Sequence, residues 1–257
     1  MVVINGAVVR LVSTAFALIG VRVVLFPWAL LGSVVAGHVI TFRVADPRGW
    51  RSVRLDRSAL RWRAILGASA LAAMAIGLAT VPLLVTGWLQ AEPAPPGSSI
   101  GAGLLMLGFL APAALWEEMV FRGYAFAVLA EWWGMPAALG ATSIVFGLVH
   151  LQNAGATPES IAVVVLAGVF LGTVLVRLRS LWAAFAAHLM WNWMLAAVLH
   201  SAVSGIPFAT PDYRLVDAGP DWATGGAWGP EGGVPAALGL VVMTAYLYLR
   251  RGRREES

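Results

Sequence analysis

From Ala64 to Leu89 the chain runs 26 residues without a charged side chain, and that stretch constrains the fold more than any other feature. A helix needs about 20 apolar residues to cross a hydrocarbon core, where the backbone must satisfy its own N–H and C=O groups. Comparable stretches occupy Ala7 to Phe42, Ile100 to about Ala130, Met135 to His150, Ile161 to Val176, Leu181 to Leu199 and Val234 to Leu249. Side chains are 60% hydrophobic and only 12% charged, against about 25% charged in a soluble domain. That balance excludes an ordinary cytosolic enzyme, a disordered chain and a nucleic-acid module. The expected fold is an all-α polytopic membrane protein of about seven to eight transmembrane helices.

Charge sets the expected topology. All seventeen basic residues are arginine, and seven of them fall between residues 43 and 63 against only Asp46 and Asp56. The positive-inside rule makes loop 43–63 cytoplasmic, and Arg250-Arg251-Gly252-Arg253-Arg254 places the C-terminus on the same side. The linker Glu92 to Gly97, the turn near Gln152 to Pro158 and the acidic loop 201–233 are then external. Ala7 to Phe42 suits two tight crossings broken near Pro27, or one crossing preceded by an interfacial helix. The expected organisation is N-terminal helices over 1–99, a helical core over 100–199, and a loop, last helix and tail over 200–257. Absence of cysteine excludes disulfides and a thiolate nucleophile or ligand.

Ionisable groups inside a crossing cost about 2.5–3.5 kcal/mol each on insertion scales, so they pair or face a cavity. Beside Arg10, Arg22 and His38 in the first stretch, three sets stand out: Glu117, Glu118 and Arg122; Phe146 and His150; His188 and Asn192. Glu118 and Arg122, four apart, share a helical face and can pair. Glu117, turned by about 100°, points elsewhere and is the free carboxylate. Pro112 removes a backbone bond in the preceding turn, which predicts a kink before the acidic pair. His188 and Asn192 are again co-facial. His38 and His200 have no co-facial acid and are read as structural, as are Gly168 and Gly172, whose G-x-x-x-G spacing suits close helix packing. Should the three crossings be neighbours, Glu117, His150 and His188 converge with Asn192. Such a group can hydrolyse a peptide bond through a metal-bound water or with Glu117 as direct general base, Asn192 and His188 stabilising the oxyanion.

These residues resemble the CPBP family of intramembrane proteases, which includes the type II CAAX prenyl endopeptidases and the Abi proteins. The family pattern E-E-x-x-x-R, F-x-x-x-H, H-x-x-x-N reads here as Glu117-Glu118 with Arg122, Phe146 with His150, and His188 with Asn192, over about residues 108 to 195. The resemblance implies an intramembrane endopeptidase of the plasma membrane acting on a membrane-associated polypeptide at a cavity within the lipid bilayer. It gives Glu117 the acid/base role, His150 a share in activating water, and His188 with Asn192 the oxyanion, with Glu118 and Arg122 in support. Members are usually called metalloproteases, so Glu117, His150 and His188 are the expected ligands of a divalent metal such as zinc; a metal-free glutamate mechanism fits the same residues. Two other readings stand beside it. A proton- or ion-coupled transporter would show inverted repeats, and no matching halves are evident. A non-catalytic scaffold or bacteriocin-immunity factor would keep its effect without Glu117.

Overall fold

The structure, a computed structural model, describes residues 26–208 and 210–255, without the side chains of 250–255. The first crossing resolves into one described helix, α1 (Phe26–Val44); residues 7–25 lie outside the described residues, as does the side-chain arrangement of the basic tail. Among the described residues seven further helices of ten residues or more follow: α2 (Trp62–Val85), α3 (Ser99–Arg122), α4 (Tyr124–Trp133), α5 (Met135–Val149), α6 (Pro158–Leu178), α7 (Leu181–Trp193) and α8 (Val234–Glu255). Among the described residues six spans are long and apolar enough to cross a membrane, α3 and α4 counting together, and Val234–Leu249 is a shorter apolar helix. The chain is an all-α polytopic membrane protein. Large apolar side chains such as Ile40, Leu66, Val81, Leu105 and Val241 stand exposed on these helices, where lipid is the compatible solvent.

Capping sets several helix starts. Ser98 accepts from the Gly101 N–H at α3, and Ser180 accepts from the Ala183 N–H at α7 while its hydroxyl donates to the Ala59 carbonyl at 2.7 Å. Thr157 and Ser160 form a capping box at α6, with Pro158 at its first turn, where a missing N–H costs nothing. The helices then pack through small residues, as expected where lipid gives no hydrophobic drive for association. Ala68, Ala72, Ala75 and Ala79 of α2 are fully buried, as are Ala183, Ala184 and Ala187 of α7.

Gly168 and Gly172 behave as their spacing predicts. A Cβ on Gly168 would lie 2.9 Å from Ser143 Cα, and one on Gly172 would lie 2.3 Å from a Leu139 methyl, so both admit α5 against α6. Helix α3 runs on through Pro112 and stops at Gly123, where a Cβ would meet the Met119 carbonyl oxygen at 2.1 Å. The next N–H, of Tyr124, donates to His38 Nε2 at 3.3 Å, while His38 Nδ1–H donates to the Val34 carbonyl. His38 therefore ties α1 to the start of α4.

The connections sort to two ends, as the charge alternation requires. At one end Arg54 donates to the Leu175 carbonyl, the Trp182 indole to the Leu55 carbonyl, and Arg48 pairs with Glu131. At the other end lies an element that helix periodicity does not predict. Leu89–Pro93 and Tyr213–Asp217 form antiparallel strands β1 and β2, with Ala91 opposite Leu215. Asp212 bonds the Gly97 N–H and the Ser99 hydroxyl, and His200 stacks on Tyr213 at 3.9 Å, away from the polar cluster. Segment 201–233 is thereby folded against the bundle.

Candidate active site

The last two turns of α3 carry both acidic residues and the arginine. Glu118 and Arg122 are 0% and 1% exposed and form the co-facial pair, with the guanidinium 2.6 Å from Oε1. The same guanidinium donates to the Gly168 carbonyl at 3.3 Å and lies 4.4 Å over the Phe146 ring. Bare Gly168 thus serves twice, admitting α5 and exposing a carbonyl to Arg122. Among its bonds Glu118 Oε1 also accepts from His188 Nδ1–H at 2.8 Å. A buried carboxylate pinned by an arginine fixes both the ring plane and the tautomer of the histidine it faces.

Glu117 has a different environment, although it does not point away from its neighbour's partner. Its side chain is 22% exposed, and Oε2 lies 3.7 Å from His188 Nε2. Glu118 thus bonds one nitrogen of the imidazole, and Glu117 lies near the other, beyond hydrogen-bond distance. The more buried carboxylate, Glu118, is locked by Arg122, and Glu117 is the more exposed of the two.

His150 lies where α5 passes into a short 3-10 turn. Its Nδ1–H donates to the Phe146 carbonyl at 2.7 Å, which leaves Nε2 with the lone pair. Phe146 is the spacer of the cluster, with its centroid 4.9 Å from the His150 ring and 6.0 Å from the His188 ring. His150, His188 and Asn192 line one small cavity of about 40 Å³, whose other wall includes Val164, Phe170 and Leu240. The six residues marked out by spacing therefore meet around one site: Glu118, Arg122 and His188 in direct contact, Glu117 against His188, and His150 and Asn192 across the cavity.

Among the described residues no three His, Asp or Glu side chains come together as a group that could hold a metal ion. Glu117, His150 and His188 do not come together as such a group here, while the bond from His188 Nδ1–H to Glu118 leaves Nε2 of that ring uncommitted.

Two side chains of the site lie beyond the spaced motifs. Ser204 and Glu231 line the same cavity. Glu231 is buried and bonded to Trp191 and Ser204. The one sequence signal was a lone carboxylate in the Gly/Pro-rich run Trp228-Gly-Pro-Glu-Gly-Gly.

No curated protein and no solved structure matches the chain. The segment that supplies Glu117, Glu118, Arg122, His150, His188 and Asn192 is recognised: residues 99–194 match the family described as type II CAAX prenyl endopeptidase Rce1-like.

Proposed function

We infer that the protein is an intramembrane endopeptidase of the CAAX-protease type, hydrolysing a peptide bond of a membrane-associated polypeptide. One observation carries the reading: a partly exposed carboxylate 3.7 Å from an imidazole whose far nitrogen is held by a buried Glu–Arg pair, beside a cavity lined by a second imidazole and an amide.

In this reading Glu117 is the general base. It takes a proton from a water held between it and the His150 Nε2 lone pair, and the water oxygen attacks the scissile carbonyl. The amide N–H of Asn192 donates to the oxyanion, joined by Nε2–H of His188 when that ring enters the cycle already as the imidazolium, with Nδ1–H on Glu118. Glu117 then returns its proton to the leaving nitrogen as the C–N bond breaks. Glu118 and Arg122 hold His188 so that Nε2 faces the reacting carbon and little reorganisation is needed during the reaction. Burial of the cluster strengthens each of these interactions. The basic end bearing loop 43–63 faces the cytoplasm of a plasma-membrane protein, which puts loop 201–233 outside.

Comparison of protein termini in membranes carrying the wild type or Glu117→Gln tests this reading. New N-termini confined to the wild type are expected, with both proteins equally abundant. The same termini in both membranes would overturn it.

A further inference from the structure

Glu231 is a charged residue 7% exposed, set in a segment outside the matched region, and its side chain lines the cavity together with His150, His188 and Asn192. Three donors converge on it. The backbone N–H and the hydroxyl of Ser204 both reach Oε1, the hydroxyl at 2.9 Å, and the indole N–H of Trp191 reaches Oε2. Trp191 stands between His188 and Asn192 on α7, so one carboxylate joins the helix that presents both groups to the segment that covers them. The segment has its own seat. Asn153 donates to the Ser204 carbonyl at 3.0 Å, and Trp228 is fully buried against Phe121, Phe146, Ile161 and Val164.

We propose that Glu231 is a positioning residue of this site. Its carboxylate clamps segment 201–233 to α7 through Trp191, which closes one wall of the cavity and fixes the turn carrying His188 and Asn192. A carboxylate suits the task because it accepts from all three donors at once and offers none of its own. A glutamine of the same size brings an NH₂ group that opposes either the indole N–H or the Ser204 donors. The kinetic consequence rests on the peptidase reading; the closure of the cavity does not.

The experiment uses the absence of native cysteine. Ala167 lines the cavity, and Ala167→Cys in the full-length protein gives one thiol whose maleimide labelling rate reports access without any substrate. Adding Glu231→Gln should raise that rate about tenfold, the factor expected for one lost hydrogen bond. Trp191→Phe, which keeps a ring but removes the N–H, should do the same. The combination of Glu231→Gln and Trp191→Phe should label no faster than either alone, since both break one link. Ser204→Ala, which keeps the backbone donor, is the milder variant if the others fold poorly, and should give a two- to threefold rise, roughly. In cleavage assays Glu231→Gln should lower kcat and leave KM within about twofold, as for a group acting through the placement of others. Unchanged labelling in Glu231→Gln and Ser204→Ala, or effects of Glu231→Gln and Trp191→Phe that multiply, would overturn the clamp. Faster labelling in a protein whose cleavage survives Glu117→Gln would keep the clamp and refute the peptidase reading.

Discussion

Replacing Arg122 by methionine leaves the Glu118 carboxylate at 0% exposure with one imidazole as its remaining bonded partner, because Oε2 already has no donor. Breaking a buried ion pair from one side costs about 3–5 kcal/mol, since the surviving charge is left uncompensated. Loss of the contact with Phe146 adds about 0.5–2 kcal/mol. Against a total stability of about 5–15 kcal/mol, the variant should unfold at much lower denaturant. The companion variant Glu118→Leu with Arg122→Met removes both charges and should recover most of the loss, as apolar replacement of a buried pair is often close to neutral. Equilibrium unfolding in detergent of the wild type, the two single variants and the double variant closes the cycle. A coupling of about 2 kcal/mol or more is expected. A single variant within about 1 kcal/mol of wild type, or losses that add, would refute the view that this pair is a desolvated unit.

Other consequences follow from particular contacts. Gly123→Ala places a methyl 2.1 Å from the Met119 carbonyl oxygen and 2.6 Å from His38 Nε2; a stability loss of about 1–3 kcal/mol is expected, and a wild-type unfolding curve would contradict it. Asn192→Ala should lower kcat by about 10²–10³, the usual effect of removing one oxyanion donor, with an unchanged melting curve. The Ser99 hydroxyl, and after it the Gly97 N–H, hold the Asp212 carboxyl below its ordinary range. A depressed folded pKa means that this tie contributes fully above the unfolded value of about 3.9 and is lost as pH falls through the folded one. Hydrogen exchange corrected for its intrinsic pH dependence should show amides near Gly97 and Tyr213 opening only in strong acid, and opening at neutral pH in Asp212→Asn. Opening that begins near neutral pH in the wild type would contradict the assignment.

The helical scaffold was legible because lipid leaves an apolar chain few choices. The polar cluster was legible for a related reason: each of Glu117, Glu118, Arg122, His150, His188 and Asn192 is costly at membrane depth, and spacing of four put partners on one face. Spacing did not reveal that Glu117 and Glu118 lie toward opposite nitrogens of one ring, since a 100° rotation separates them on α3 and only the approach of α7 reunites them. The end of α3 at Gly123 was not legible, because the need for glycine there comes from His38 and the crowding of one turn. Strands β1 and β2 lie more than a hundred residues apart, so no local period announces them. Glu231 was missed for the same reason: its partners Trp191 and Ser204 are 40 and 27 residues away, in a loop whose composition resembles any external linker.

The central claim is that Glu117 drives attack by water on a peptide carbonyl. The direct measurement is the cleavage rate of a substrate found by the terminal comparison, in H₂¹⁸O, for wild type and Glu117→Gln in bilayer discs. The account predicts one ¹⁸O in the new carboxylate and a fall of about 10²–10⁴ in rate for the variant, the range for loss of a general base, with unchanged thermal unfolding. Undiminished cleavage by a folded Glu117→Gln protein, or a product carboxylate without ¹⁸O, would contradict it.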